Sequence, residues 1–220
     1  NMNLFMKILN NNFYKIIELI LLSSILPYVV LVLKFYNLVL PILWLVTLYC
    51  IIIFYLKENN INYKLKNIFN INRLVLIKII IRWIIFSAIL LLITYYFFNE
   101  KFFIIQKNNP EILWKIMLLY PIFSALPQEF IFCKFFFFRY KSIFKNNLNL
   151  TISSALCFAI AHILFLNIIA PVLSLIGGFL FANTYRKHKS LLLVSIEHGL
   201  YGNTLFFIGL GWYFWGGSLA

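Results

Sequence analysis

The feature that most restricts this chain is a repeated alternation of long apolar runs with short basic clusters. A helix needs about 20 apolar residues to cross roughly 30 Å of hydrocarbon. Seven runs approach that length: Ile16 to Leu33, Phe35 to Leu56, Ile79 to Phe98, Ile112 to Phe138, Leu150 to Ile169, Pro171 to Tyr185 and Leu191 to Leu210. The Gly-rich tail from Gly211 to Gly217 leaves an eighth, short or re-entrant segment open. The expected fold is therefore an all-α polytopic membrane bundle of about seven to eight transmembrane helices. The first run is read as a retained helix rather than a signal peptide, because no small-residue cleavage site follows it.

Composition closes off the alternatives. With 63% hydrophobic and 11% charged residues and a mean hydropathy of +0.92, the chain lacks the surface of a soluble domain. A net charge of +13 would suit nucleic acid, but the cations lie between apolar runs, where anionic headgroups meet them, so no nucleic-acid partner is expected. Cys50, Cys133 and Cys157 have no CxxC spacing and read as packing residues.

Positive charge also sets orientation. Lys7 and Lys15 precede the first run; Lys57, Lys64, Lys66, Arg73, Lys78 and Arg82 follow the second; Arg139, Lys141 and Lys145 follow the fourth; Arg186, Lys187 and Lys189 follow the sixth. Those sides are expected in the cytoplasm, with the N-terminus inside and, for an odd number of spans, the C-terminus outside. The location that fits is a bacterial inner membrane. Between the third and fourth runs, Lys101 and Lys107 are matched by Glu100 and Glu111, and that loop is placed outside.

No internal repeat is found, which argues against a transporter built from duplicated halves. The asymmetry is chemical instead. Residues 1–111 hold N-terminal spans and a basic loop, whereas residues 112–220 hold Glu129, Lys134, His162, Glu197 and His198 within apolar runs. An ionisable group near the bilayer centre costs about 2.5–3.5 kcal/mol and normally finds a partner in the bundle interior. Counted from the cytoplasmic flanks, Glu129 lies at about 15 Å, His162 at about 18 Å and His198 at about 10 Å, so the three are compatible in depth.

A desolvated carboxylate beside two imidazoles can polarise a water and protonate a leaving group, which peptide hydrolysis requires. The same trio suits zinc, a buried network that pins helices, with each His satisfied by a backbone carbonyl or a hydroxyl such as Ser153 or Ser195, and a proton or ion pathway. Glu197, next to His198, points elsewhere on a helix and is read as structural, paired with an interfacial Lys or Arg. Gly177 and Gly178 read as close-packing positions, and His188 as a solvated residue in a basic turn.

Three local sequences resemble the CPBP family, also called the Abi or type II CAAX prenyl endopeptidase family, of intramembrane proteases. Pro127-Gln128-Glu129-Phe130-Ile131-Phe132-Cys133 is similar to the motif EExxxR, Phe158-Ala159-Ile160-Ala161-His162 matches FxxxH, and His198-Gly199-Leu200-Tyr201-Gly202-Asn203 is similar to HxxxN. The resemblance covers about the last half of the chain. It implies a cavity open to the cytoplasm and lipid, a membrane-associated protein or peptide as substrate, and catalytic roles for Glu129 as base, His162 as its assistant or water ligand, and His198 and Asn203 as oxyanion contacts. No cofactor is required, and if zinc is used Glu129, His162 and His198 are its ligands.

The departures are chemical. Gln128 stands at the motif's first acid, and an amide is no general base. Glu129 replaces it only if the helix is rotated there, which Pro121 and Pro127 favour. Cys133 replaces the motif's Arg, with Lys134 beside it as an imperfect substitute. Asn203 follows His198 by five residues rather than four, an offset of about 140° instead of about 40°, with Gly199 and Gly202 able to let the backbone adjust. The alternative reading is therefore a catalytically inactive relative that binds a peptide or partner, as in bacteriocin immunity or maturation.

Overall fold

The computed structural model describes residues 7–57 and 70–215, so Lys64 and Lys66 of the basic loop, and Gly216 and Gly217 of the tail, lie outside the described residues. Seven long helices run through it: α1 Asn12–Val32, α2 Tyr36–Lys57, α3 Arg73–Phe97, α4 Pro110–Arg139, α5 Asn147–Phe165, α6 Ile169–His188 and α7 Leu191–Ile208. There is no strand among the described residues, and all of these helices except α6 are long and apolar enough to cross a membrane. The protein is an all-α, integral, multi-pass membrane protein. Leu210–Phe214 forms a single 3₁₀ turn rather than an eighth helix.

Helix ends follow local capping more than hydropathy. Asn11 accepts a bond from Phe13 N at 2.8 Å and Asn72 one from Leu74 N at 2.9 Å, so α1 and α3 begin before their apolar runs do. Lys78, expected just before the third run, consequently lies on α3 together with Arg82. The fifth span stops at Phe165 rather than Ile169, because His162 opens a 3₁₀ turn and Leu166 turns left-handed at φ 52°. Asn167 then accepts from Ala170 N at 2.8 Å and starts α6.

The helices differ in burial, and that sets the architecture. Two-thirds of the α7 span (67%) is buried, against 6% of α3, so α7 is the central helix and α3 faces lipid along most of its length. α7 packs on α3, α4 and α6, and α5 pairs closely with α6. Gly178 makes that pairing possible, since a Cβ there falls 3.0 Å from Phe158 Cδ1 and 3.2 Å from Ala155 Cα.

A buried ion pair ties α1 to the end of α4. Arg139 Nε and Nη2 donate to the two oxygens of Glu18 at 2.8 and 2.9 Å, while Tyr49 and Tyr140 donate to the same carboxylate at 2.7 and 2.9 Å. Burial pushes the Tyr140 hydroxyl well above its ordinary range, which keeps it a donor here. Arg139 is thus a buried partner of Glu18 rather than a solvated loop charge, and the N-terminal helices do hold an ionisable group at depth.

α4 is distorted where the sequence suggests it. It contains two π turns, Pro121–Ala125 and Phe130–Phe135, on either side of Leu126–Glu129. Each proline removes a donor from the carbonyl four residues earlier, and other helices replace it. Asn203 Nδ2 donates to Met117 O at 3.0 Å, and Trp44 Nε1 donates to Phe123 O at 3.0 Å. A π turn adds one residue, so the helix beyond it is rotated by about 100°, the angle between neighbouring residues on a helix.

Candidate active site

Glu129 is 1% exposed, and its Oε1 accepts a 2.7 Å hydrogen bond from His198 Nδ1 across the α4–α7 contact. The other ring nitrogen, His198 Nε2, lies 2.8 Å from the Tyr120 hydroxyl. The imidazole is held flat against Phe181, with centroids 4.6 Å apart and planes 14° from parallel, and Phe158 meets it edge-on at 5.6 Å. Carboxylate, imidazole and phenol therefore form one hydrogen-bonded chain, fixed by rings on two sides.

This chain ends at a cavity of about 850 Å³ whose wall includes Tyr120, Ser124, Gln128 and His162. Glu129 and His198 stand behind Tyr120 rather than on that wall. His162 Nδ1 bonds Phe158 O at 2.7 Å; a carbonyl only accepts, so the proton is on Nδ1 and Nε2 is the nitrogen left for the cavity. Gln128 Nε2 donates to Ser124 Oγ at 2.8 Å. The position that matches the motif's first acid thus lines the cavity, and its neighbour Glu129 faces His198.

Asn203 is not brought to this cluster. Its amide caps the Met117 carbonyl, which agrees with the angular offset of its five-residue spacing. Gly199 and Gly202 do not serve backbone adjustment but close approach: a Cβ at Gly199 would lie 3.0 Å from Pro121 Cβ, and one at Gly202 only 2.1 Å from Tyr120 Cε1. Tyr120 is the functional residue that motif reading missed. Its signal is faint, a Tyr-Pro pair in an apolar span opposite a helix carrying two glycines four or fewer residues apart.

The remaining residues sort plainly. Glu197 pairs with Arg82 of α3, as its position beside His198 suggests. His162 is satisfied by a carbonyl rather than by Ser153 or Ser195. Lys134 Nζ lies 5.1 Å over the Phe54 ring, while the partner of Glu129 is His198. All three cysteines are free thiols.

Zinc does not fit Glu129, His162 and His198 as they stand. The first and third are engaged with each other, the Phe158 ring lies against both imidazoles, and no three His, Cys, Asp or Glu side chains among the described residues are grouped to hold a metal.

The cavity has a defined end. Its lining there includes Tyr36, Asn37, Asn108, Asn109, Lys115 and Trp212, from the start of α2, the segment before α4, the first turns of α4 and the turn after α7. Of the 17 described Lys and Arg residues, Lys34, Lys101, Lys107 and Lys115 share that end, Lys134 lies within α4, and the other twelve lie toward the opposite end.

Residues 110–204 match the profile of the family described as type II CAAX prenyl endopeptidase Rce1-like. That stretch runs from the start of α4 into the last turn of α7 and contains all three motifs, so the family recognised from them stands. In general terms the match supports the membrane-embedded CAAX protease type over residues 110–204, a type that goes with a lipid bilayer and a membrane-associated substrate. No curated protein and no solved structure matches the chain.

Proposed function

We propose that this protein is an intramembrane endopeptidase that hydrolyses a peptide bond inside the 850 Å³ cavity, with His162 as base and Tyr120 as oxyanion donor. The observation that carries the reading is the chain Glu129–His198–Tyr120 ending on the same wall as His162. His162 Nε2 takes a proton from a water, whose oxygen attacks the substrate carbonyl; the same proton then passes to the leaving amine. When His198 Nε2 carries a hydrogen it donates to Tyr120 Oη, and the phenol hydrogen is free to bond the tetrahedral oxyanion. Glu129 acts through His198 as a positioning residue rather than as the base itself.

Sidedness follows from charge. With the basic end in the cytoplasm, the cavity end lined by Asn108, Asn109 and Lys115 faces the other side, and the substrate is a membrane-associated peptide reached from there. The test is cleavage of a mixed membrane-peptide library by the protein in nanodiscs. Activity lost in His162→Ala and strongly reduced in Glu129→Gln is expected; silence of the folded wild-type protein would overturn the reading.

A second reading has a specific observation behind it. Gln128 and Ser124 line the wall where the motif has an acid, and an amide and a hydroxyl bind a peptide without cleaving it. On this reading the cavity holds a peptide segment of a partner, and neither His162→Ala nor Glu129→Gln removes binding.

A further inference from the structure

We propose that a hollow between α3 and α6, at the basic end of the bundle, binds an anionic phosphate group of the kind carried by a lipid headgroup. The hollow has a volume of about 430 Å³ and is lined by Lys78 and Arg82 from α3 and by Asn183, Thr184, Lys187 and His188 from α6, over Val75 and Ile79. Lys78 and Arg82 are four residues apart, as are Asn183 and Lys187, so each pair presents one helix face to the same space. No acidic side chain lines it.

Glu197 offsets the charge of Arg82, but the convergence of Lys78 and Lys187 on the same space is unfavourable without a further anion between them. The C-terminal dipole of α6 accounts for Lys187 and His188 in its last turn, but it does not account for Lys78 and Arg82, which come from the N-terminal half of α3. Arg82 also has donor capacity left. Its Nη2 serves Thr184 and Glu197, while its buried Nε has no partner. Basic pockets between transmembrane helices suit phosphate headgroups, and the exposed Leu74, Ile77, Ile81 and Ile85 give acyl chains an apolar path along α3. Arg82 joins this site to Glu197, the residue before His198, so a bound phosphate shares a guanidinium with the helix that carries the site.

Native mass spectrometry on the detergent-solubilised protein, mixed with equimolar phosphatidylglycerol and phosphatidylcholine, tests this. The wild type should retain phosphatidylglycerol at least five-fold over phosphatidylcholine, and Lys78→Gln/Lys187→Gln should bring the ratio near one with its circular dichroism unchanged. Lys141→Gln/Lys145→Gln, which lowers net charge equally elsewhere, should keep the preference. If excess inorganic phosphate displaces the lipid, the phosphate group alone is the ligand; if it does not, the acyl chains contribute. No preference in the wild type, an undiminished one in Lys78→Gln/Lys187→Gln, or an equal loss in the charge control would overturn the proposal.

Discussion

The ring of Tyr120 fills the space that a side chain at Gly202 would need, with a Cβ there falling 2.1 Å from Cε1 and 2.5 Å from the hydroxyl. Gly202 is four residues after His198, where the HxxxN pattern would carry its Asn. The phenol thus stands near the missing amide's place and bonds the same imidazole. Gly202→Ala is expected to push Tyr120 off His198, costing about 1–3 kcal/mol by overpacking and abolishing cleavage. Thermal unfolding in detergent and a peptide-cleavage assay read the two effects.

Glu18 takes four hydrogen bonds from Arg139, Tyr49 and Tyr140 while 4% exposed. Glu18→Ala leaves the Arg139 guanidinium buried and unpaired, a loss of about 3–5 kcal/mol. Glu18→Leu with Arg139→Met should recover most of it, because a buried pair replaced by apolar groups of similar volume is close to neutral. Denaturant midpoints of the three variants measure this.

Gln128→Glu puts a carboxylate on the cavity wall beside Ser124. If water is activated in this cavity, a second base there raises cleavage, by about 10²-fold for a well-placed general base. Rates for the variant and the wild type on one peptide check it; equal rates would mean that the reacting water lies elsewhere.

Asn109 lines the cavity just before α4, and Lys145 lies beyond the other end of α4. In a background with Cys50, Cys133 and Cys157 replaced, Asn109→Cys should react with a membrane-impermeant maleimide in intact cells, and Lys145→Cys only after the membrane is opened. The reverse pattern would place the Asn109 end of the cavity in the cytoplasm.

The helices were legible because bilayer thickness demands long apolar runs, and these survive any error at their ends. The ends themselves moved where Asn11 and Asn72 cap, and where Leu166 turns left-handed, because capping is local chemistry that hydropathy does not register. Glu129 and His198, which depth matching put at compatible levels, do meet in a 2.7 Å hydrogen bond. Depth matching did not foresee that Phe158 would lie against both imidazoles, or that Asn203 would be spent on the carbonyl freed by Pro121. Tyr120 escaped because its contact with Gly202 joins residues far apart in sequence, and a tyrosine in an apolar run reads as an ordinary interfacial ring.

The most direct test is the rate of peptide cleavage by Tyr120→Phe in nanodiscs at saturating substrate, beside the wild type. Loss of one oxyanion donor predicts a fall in kcat of about 10²–10³-fold with KM little changed and the thermal midpoint kept. An unchanged kcat would contradict the account, since the hydrogen-bonded chain from Glu129 through His198 would then end on a phenol that takes no part in the reaction.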